Sequence, residues 1–136
     1  MIYLDNGATS FCKPPEVCRA MCRAMYTCAN PGRGGYRAAM EAGKVVFHCR
    51  EEAAALFDCQ PEQVVFTASC THGLNIAIRT LVSAGDEVVV SGFEHNAVTR
   101  PLQLIGARVR VAGRRLFSPE DTLEEFEQAL RKGAKA

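Results

Sequence analysis

The run Val64-Val65-Phe66-Thr67-Ala68-Ser69-Cys70-Thr71-His72-Gly73-Leu74-Asn75 constrains this chain more than any other stretch. Val64 to Thr67, β-branched and aromatic after the polar Pro61-Glu62-Gln63, predicts a short buried strand. From Thr71 to about Val82, Leu74, Ile78, Leu81 and Val82 recur at helical spacing. Strand therefore hands over to helix through a turn of small and hydroxyl residues. The free N–H groups of a first helical turn face outward and carry the positive end of the macrodipole. With the hydroxyls of Ser69 and Thr71 beside them, they would receive a phosphate or carboxylate. The plainer alternative is an ordinary turn capped by Ser or Thr, which needs no ligand.

The same alternation continues downstream. Glu87 to Ser91 is a strand with an unbroken apolar centre, as in a strand buried on both faces. Gly92 to Asn96 is its exit loop, and Asn96 is placed to cap a helix running to about Ile105. Pro101 lies a turn inside that helix, which predicts a kink or a later start. Arg108 to Ala112 is the next strand, with Val109 and Val111 alternating against arginines. Thr122 and Glu125 have capping-box spacing for a last helix that turns Leu123, Phe126 and Leu130 inward and stops at Gly133. Strand, helix, strand, helix, strand, helix predicts an α/β fold, a mostly parallel sheet flanked by helices. Ligands in such sheets bind at the carboxyl ends of the strands. The turn at 68–71 and the loop at 92–96 should therefore be neighbours over one pocket.

The first sixty residues carry different signals. Ile2-Tyr3-Leu4 predicts a short strand, followed by the small polar loop Asp5-Asn6-Gly7-Ala8-Thr9-Ser10. Pro14 and Pro15 open a helix that ends near Thr27, with Val17, Met21, Ala24 and Met25 as its apolar stripe. Asn30-Pro31-Gly32-Arg33-Gly34-Gly35-Tyr36 can be neither helix nor central strand. An arginine in such a loop can bind a carboxylate through two parallel hydrogen bonds, or simply be solvated. A long helix follows from about Arg37 to Leu56, its inner side built of Ala42, Val45, Val46, Cys49, Ala53 and Leu56.

Composition narrows the function classes. A net charge of +1 with no basic block argues against nucleic acid and membrane surfaces as partners. No apolar run reaches the roughly 20 residues that span a bilayer. The N-terminus, Met1-Ile2-Tyr3-Leu4-Asp5-Asn6, is short and acidic, unlike a signal peptide, so a cytoplasmic protein is expected. Seven cysteines with no Cys-x-x-Cys pair and no clustered histidine read as reduced thiols serving as small buried hydrophobes, with no metal site. Cys70 is the exception, since its place in the turn would face a ligand.

Five segments in order resemble the N-terminal part of a cysteine desulfurase, in the class V aminotransferase family of pyridoxal 5'-phosphate enzymes. They are Tyr3-Leu4-Asp5-Asn6-Gly7-Ala8-Thr9, Asn30-Pro31-Gly32-Arg33-Gly34-Gly35, Val65-Phe66-Thr67-Ala68-Ser69-Cys70-Thr71, Gly85-Asp86-Glu87-Val88-Val89-Val90 and Glu94-His95-Asn96-Ala97-Val98. The resemblance implies a single incomplete domain, with 1–60 as N-terminal loop and helices and 61–136 as the start of the cofactor-binding large domain. It implies that Cys70 and Thr71 bind the cofactor phosphate and that His95 stacks over its pyridine ring, with a catalytic role in passing protons. Asn6, Ala8 and Thr9 are implied on the substrate side of the pocket, with Arg33 in a loop that approaches an active site, often across a dimer interface. L-cysteine, a sulfur-acceptor protein and a second copy of the chain are the implied partners.

The sequence departs from that family in three places. Cys70 replaces a small residue, His72 an acidic one, and Tyr36 a histidine. The Schiff-base lysine and the persulfide cysteine of the family match none of Lys13, Lys44, Lys132 and Lys135 and none of the seven cysteines. The expectation is a fragment that converts L-cysteine to L-alanine only as part of a longer enzyme and is inactive alone. Its last residues should leave an unpaired sheet edge. A selenocysteine lyase or another class V member is the near alternative. A non-catalytic truncated or partner-dependent protein, or a stand-alone phosphate-binding module, is the distant one.

Overall fold

The computed structural model describes residues 2–136, and it divides into two compact units, one ending at Val65 and one spanning Phe66–Ala136.

In the first unit, helix α1 (Pro15–Thr27) starts where its prolines dictate, with Pro15 at the first helical position and Pro14 before it. Helix α2 (Arg37–Phe57) is stopped by Asp58, whose φ of 51° is left-handed. A 3-10 turn at Pro61–Gln63 follows, closed by the Gln63 side-chain oxygen accepting from the Gln60 N–H at 2.8 Å. The predicted strand at Ile2–Leu4 is absent, and Ile2 and Leu4 are 88% and 91% exposed. The predicted inner faces of both helices are also largely open. Met21, Met25, Val45 and Leu56 are exposed, and only Ala39, Ala42 and Ala54 of α2 are buried. Small side chains let α1 and α2 approach, and the larger ones flanking them stay in solvent.

In the second unit, helix α3 (Cys70–Leu81), strand β1 (Glu87–Ser91), helix α4 (Asn96–Ile105), strand β2 (Arg108–Ala112) and helix α5 (Pro119–Arg131) follow in order. The strands are parallel, with Glu87 opposite Arg108 and Ser91 opposite Ala112. The two-residue period of β1 feeds two apolar clusters on opposite faces. Val88 and Val90 pack with Val82 and Leu102 on one face, joined by Ile78, Val98, Ile105 and Val111 from α3, α4 and β2. Val89 packs with Ala112 and Ala129 on the other, under Phe126 of α5. Helices thus cover both sides of the sheet, as the valine run predicts.

Several sequence expectations change here. Val64–Thr67 forms no strand, with Val65 75% and Phe66 50% exposed. A strand exists only through its ladder, and no chain lies beside this segment among the described residues. His95, not Asn96, caps α4. The later start foreseen from Pro101 does not occur, because α4 runs through that buried proline. Only the Ala97 carbonyl loses its partner to the missing N–H. Gly106, left-handed at φ 80°, ends α4, and the Ala107 N–H reaches back to the Leu102 carbonyl at 3.1 Å. Thr122 and Glu125 form no capping box. Helix α5 begins earlier, at Pro119, so the Thr122 hydroxyl donates to Ser118 O while Glu125 accepts from the Gly113 N–H. Leu81, Leu123 and Leu130 are exposed, since each helix buries a narrower stripe than its pattern allows.

The outer edge of β1 is not bare. The Lys135 N–H donates to Glu87 O and the Val89 N–H donates to Ala136 O, both at 2.8 Å. The last two residues therefore lie along the edge that the sequence leaves unpaired.

Candidate functional site

The N-termini of α3 and α4 border one cleft of about 270 Å3. Its walls include Thr71 and Asn75 of α3 and His95, Asn96, Arg100 and Leu104 at and within α4. The turn at 68–71 and the loop at 92–96 are neighbours, as the strand-end argument expects.

Ser69 builds the α3 side. Its backbone is extended, and its hydroxyl accepts from the His72 N–H at 3.1 Å. Its carbonyl accepts the Gly73 N–H at 3.0 Å, the first bond of the helix. The N–H groups of Cys70 and Thr71 are left without a protein acceptor among the described residues. Gly73 keeps the turn tight, since a Cβ there would lie 3.3 Å from Thr67 Oγ1. The Asn75 side chain donates to the Thr71 carbonyl at 2.9 Å and fixes the second turn.

A network at the end of β1 builds the α4 side. The Ser91 hydroxyl donates to Glu94 Oε1 at 2.8 Å and accepts from the Phe93 N–H at 3.3 Å. Gly92 lets this loop lie against the exit of β2, because a Cβ would stand 3.1 Å from Gly113 O and from Arg114 Cα. His95 follows, and its Nδ1 accepts from the Ala97 N–H at 3.0 Å. That bond assigns the tautomer, with Nδ1 unprotonated and the neutral ring's proton on Nε2.

The cleft is electropositive. Two helix N-termini and Arg100 border it, and no carboxylate is among its walls. Sequence reasoning missed Arg100, which carries no motif signal. Its position five residues beyond the capping residue is the only hint. Ser69 was visible as a cap, but its effect, leaving the N–H groups of Cys70 and Thr71 free, needs the helix start to be known.

Cys70 is the exposed first residue of α3, outside the cleft walls. Asn6, Ala8 and Thr9 lie in the first unit, in a turn closed on Asp5 and Tyr3. The Ala8 N–H donates to Asp5 O at 3.1 Å and the Tyr3 hydroxyl to Thr9 O at 2.9 Å. The Asn6 amide reaches Tyr3 O at 3.4 Å. Arg33 is exposed beside Gly32, whose φ of 99° suits glycine alone. All seven cysteines are free thiols. None is buried, against the expectation of buried hydrophobes, and Cys28 and Cys59 are half-buried. No helix among the described residues is long and apolar enough to cross a membrane.

The model of the class-V aminotransferase family matches residues 2–136. A probable cysteine desulfurase of Aeropyrum pernix is 34% identical over 120 residues, covering 82% of this chain and 29% of its own length. One of Treponema pallidum is 33% identical over 106 residues, covering 74% and 26%. The apo structure of a cysteine desulfurase from Thermococcus onnurineus superposes with a TM-score of 0.70 at 27% identity, over 82% of this chain and 30% of that one. The chain thus spans less than a third of the relatives it matches, in their N-terminal part, with the α/β architecture of fold-type-I pyridoxal-phosphate enzymes. With its whole described length matched by that model and its fold shared with a solved desulfurase, the chain belongs to the class-V aminotransferase family.

Proposed function

We propose that this chain supplies the phosphate-anchoring turn and the ring-facing histidine of a cysteine desulfurase that acts on L-cysteine in the cytoplasm. The free N–H groups of Cys70 and Thr71 at the start of α3, with Thr71 and His95 lining one cleft without carboxylates, carry this reading. The family is one of pyridoxal-phosphate enzymes. An exposed helix N-terminus with two unused donors fits a phosphate, and Arg100 adds a cation to the walls of the same cleft. A flat imidazole held by its own Nδ1 bond fits the face of a pyridine ring. Its Nε2–H is left to donate a hydrogen bond or pass a proton.

Pyridoxal phosphate, when bound, supplies the electron sink for charge that develops on the amino-acid substrate. The roles of this chain's residues are distinct from that. Cys70 and Thr71 donate backbone hydrogen bonds to the phosphate, and Ser69 holds those donors in place. His95 orients the ring and holds a proton at Nε2. Asn6, Ala8, Thr9 and Arg33 form part of the substrate wall. Residues 1–60 serve as the N-terminal loop and helices, and 61–136 as the start of the large domain. The division of the chain near Val65 supports that boundary. The complete enzyme would be a homodimer passing sulfur from an enzyme cysteine to an acceptor protein, with L-alanine released.

Pyridoxine 5'-phosphate tests the anchoring, because it lacks the aldehyde that would label surface lysines. In a two-dimensional NMR titration of the chain, the amides of Cys70 and Thr71 should shift, and inorganic phosphate should compete. The His95 ring protons should respond to pyridoxine phosphate and not to phosphate alone. A titration that leaves Cys70, Thr71 and His95 unmoved would refute the proposal.

A further inference from the structure

Helix α1 carries a feature that the cofactor cleft does not use. Its sequence contains Cys18-Arg19-Ala20-Met21 followed at once by Cys22-Arg23-Ala24-Met25, the same tetrapeptide twice. The repeat places Cys18, Met21, Cys22 and Met25 at i, i+3, i+4 and i+7. At 3.6 residues per turn, four such positions fall within an arc of about 100°. Ala20, Arg23, Ala24 and Thr27, which face α2 across the groove beside Ala38 and Glu41, occupy roughly the opposite arc. Cys18 and Cys22 are exposed, and Met21 and Met25 are 62% and 73% exposed.

The donor set on this face is sulfur alone. Glu16 is the only carboxylate in α1, and it is ion-paired with Arg19. The helix contains no histidine. Zinc in a structural site takes four thiolate or imidazole ligands, and only two thiols are present here. No group of three or more His, Cys, Asp and Glu side chains is placed to hold a metal ion among the described residues. Two thiols with two thioethers suit a soft cation instead. A disulfide between Cys18 and Cys22 is disfavoured, because Cβ atoms one turn apart on a helix stand about 5–6 Å from each other, beyond disulfide reach.

The geometry points to a surface site for Cu(I) on α1, with the thiolates of Cys18 and Cys22 as principal ligands and the thioethers of Met21 and Met25 completing the coordination. Binding deprotonates both thiols and releases two protons to solvent. Two Cu–S(thiolate) bonds form, copper stays Cu(I), and no redox partner is needed. The competing account is an apolar stripe made for packing, in which sulfur is incidental.

The test uses the 136-residue chain without oxygen. Cu(I) supplied from its bathocuproine disulfonate complex should transfer to the protein and bleach that complex. Cys18→Ser with Cys22→Ser should weaken binding by on the order of a hundredfold or more, since even outer-shell changes cost 10–100-fold. Cys49→Ser with Cys59→Ser should leave it unchanged. Met21→Leu with Met25→Leu keeps shape and apolarity and should weaken binding several-fold. The unaltered chain gives a check that needs no variant. With methionine methyls labelled, Ag(I) as a redox-inert surrogate should shift Met21 and Met25 and leave Met40 in place. Equal Cu(I) affinity in the double serine variant, or methyls of Met21 and Met25 that do not move, would overturn the assignment.

Discussion

Lys135 Nζ lies 2.7 Å from Asp86 Oδ2, across 49 residues of sequence, and clips the end of the chain to the start of β1. Asp86 also accepts from the Ser83 N–H at 2.7 Å. The hydrogen bond from Lys135, then that from Ser83, holds its carboxyl below the ordinary 3.8. A depressed carboxyl stabilises the fold at pH values above its unfolded pKa, and this contribution is lost as pH falls through the folded one. Acidification below 3.8 should therefore loosen the bonds of Lys135 and Ala136 to Glu87 and Val89. Amide exchange at Val89 and Lys135 reads this directly. Lys135→Met should raise the Asp86 pKa toward 3.8 in an NMR titration, with the Ser83 bond keeping part of the shift.

Ser69→Ala should destabilise the chain by about 1 kcal/mol in urea denaturation, the usual cost of losing an N-cap. It frees the His72 N–H and loosens the Cys70 and Thr71 donors that precede it. Ser69→Asp should keep the cap and still weaken phosphate binding, because it places a negative charge where the anion sits.

His95 separates two roles through two substitutions. His95→Ala removes the Nδ1 acceptor of the Ala97 N–H and should cost about 1 kcal/mol. His95→Asn restores a cap and should recover most of that stability. Neither variant has an imidazole, so both should lose the ring response to pyridoxine phosphate.

Leu102, 1% exposed, is the most buried large side chain. Leu102→Ala should cost about 2–5 kcal/mol, as deletions from packed cores do. Because Leu102 sits with Val82, Val88 and Val90, the loss should show first as raised amide exchange in β1.

The 136-residue chain alone should form no alanine from L-cysteine. The chemistry needs a lysine nucleophile at the cofactor. Neither Lys132 nor Lys135 of the second unit borders the cleft, and Lys13, Lys44 and Lys135 are engaged with Ser10, Glu41 and Asp86. Alanine accumulation above a heat-treated control would contradict this.

Elements with strong local signals were legible in the sequence. The prolines that open α1, the valine run of β1 and Gly106 after α4 each act within a turn or two of themselves, so their boundaries follow from local rules. Val64–Thr67 and Ile2–Leu4 were misread for the opposite reason. A β-branched run states a preference, but pairing depends on a partner that local composition does not encode. The exposed Met21, Val45 and Leu81 follow the same logic, since a helical stripe marks a face without naming what covers it. In the cleft, Thr71 and His95 were found through motif order. Arg100 was not, because its place there depends on how α3 and α4 cross.

The bond from the Ala97 N–H to His95 Nδ1 has an entropic consequence. A histidine side chain free to rotate would lose that freedom on meeting a ligand, at about 0.5–1.5 kcal/mol. Here the ring is restrained when α4 forms, so the ordering belongs to folding rather than to binding. The affinity of the cleft for a flat partner is then set by contact and charge, with little reorganisation left for the ligand to drive.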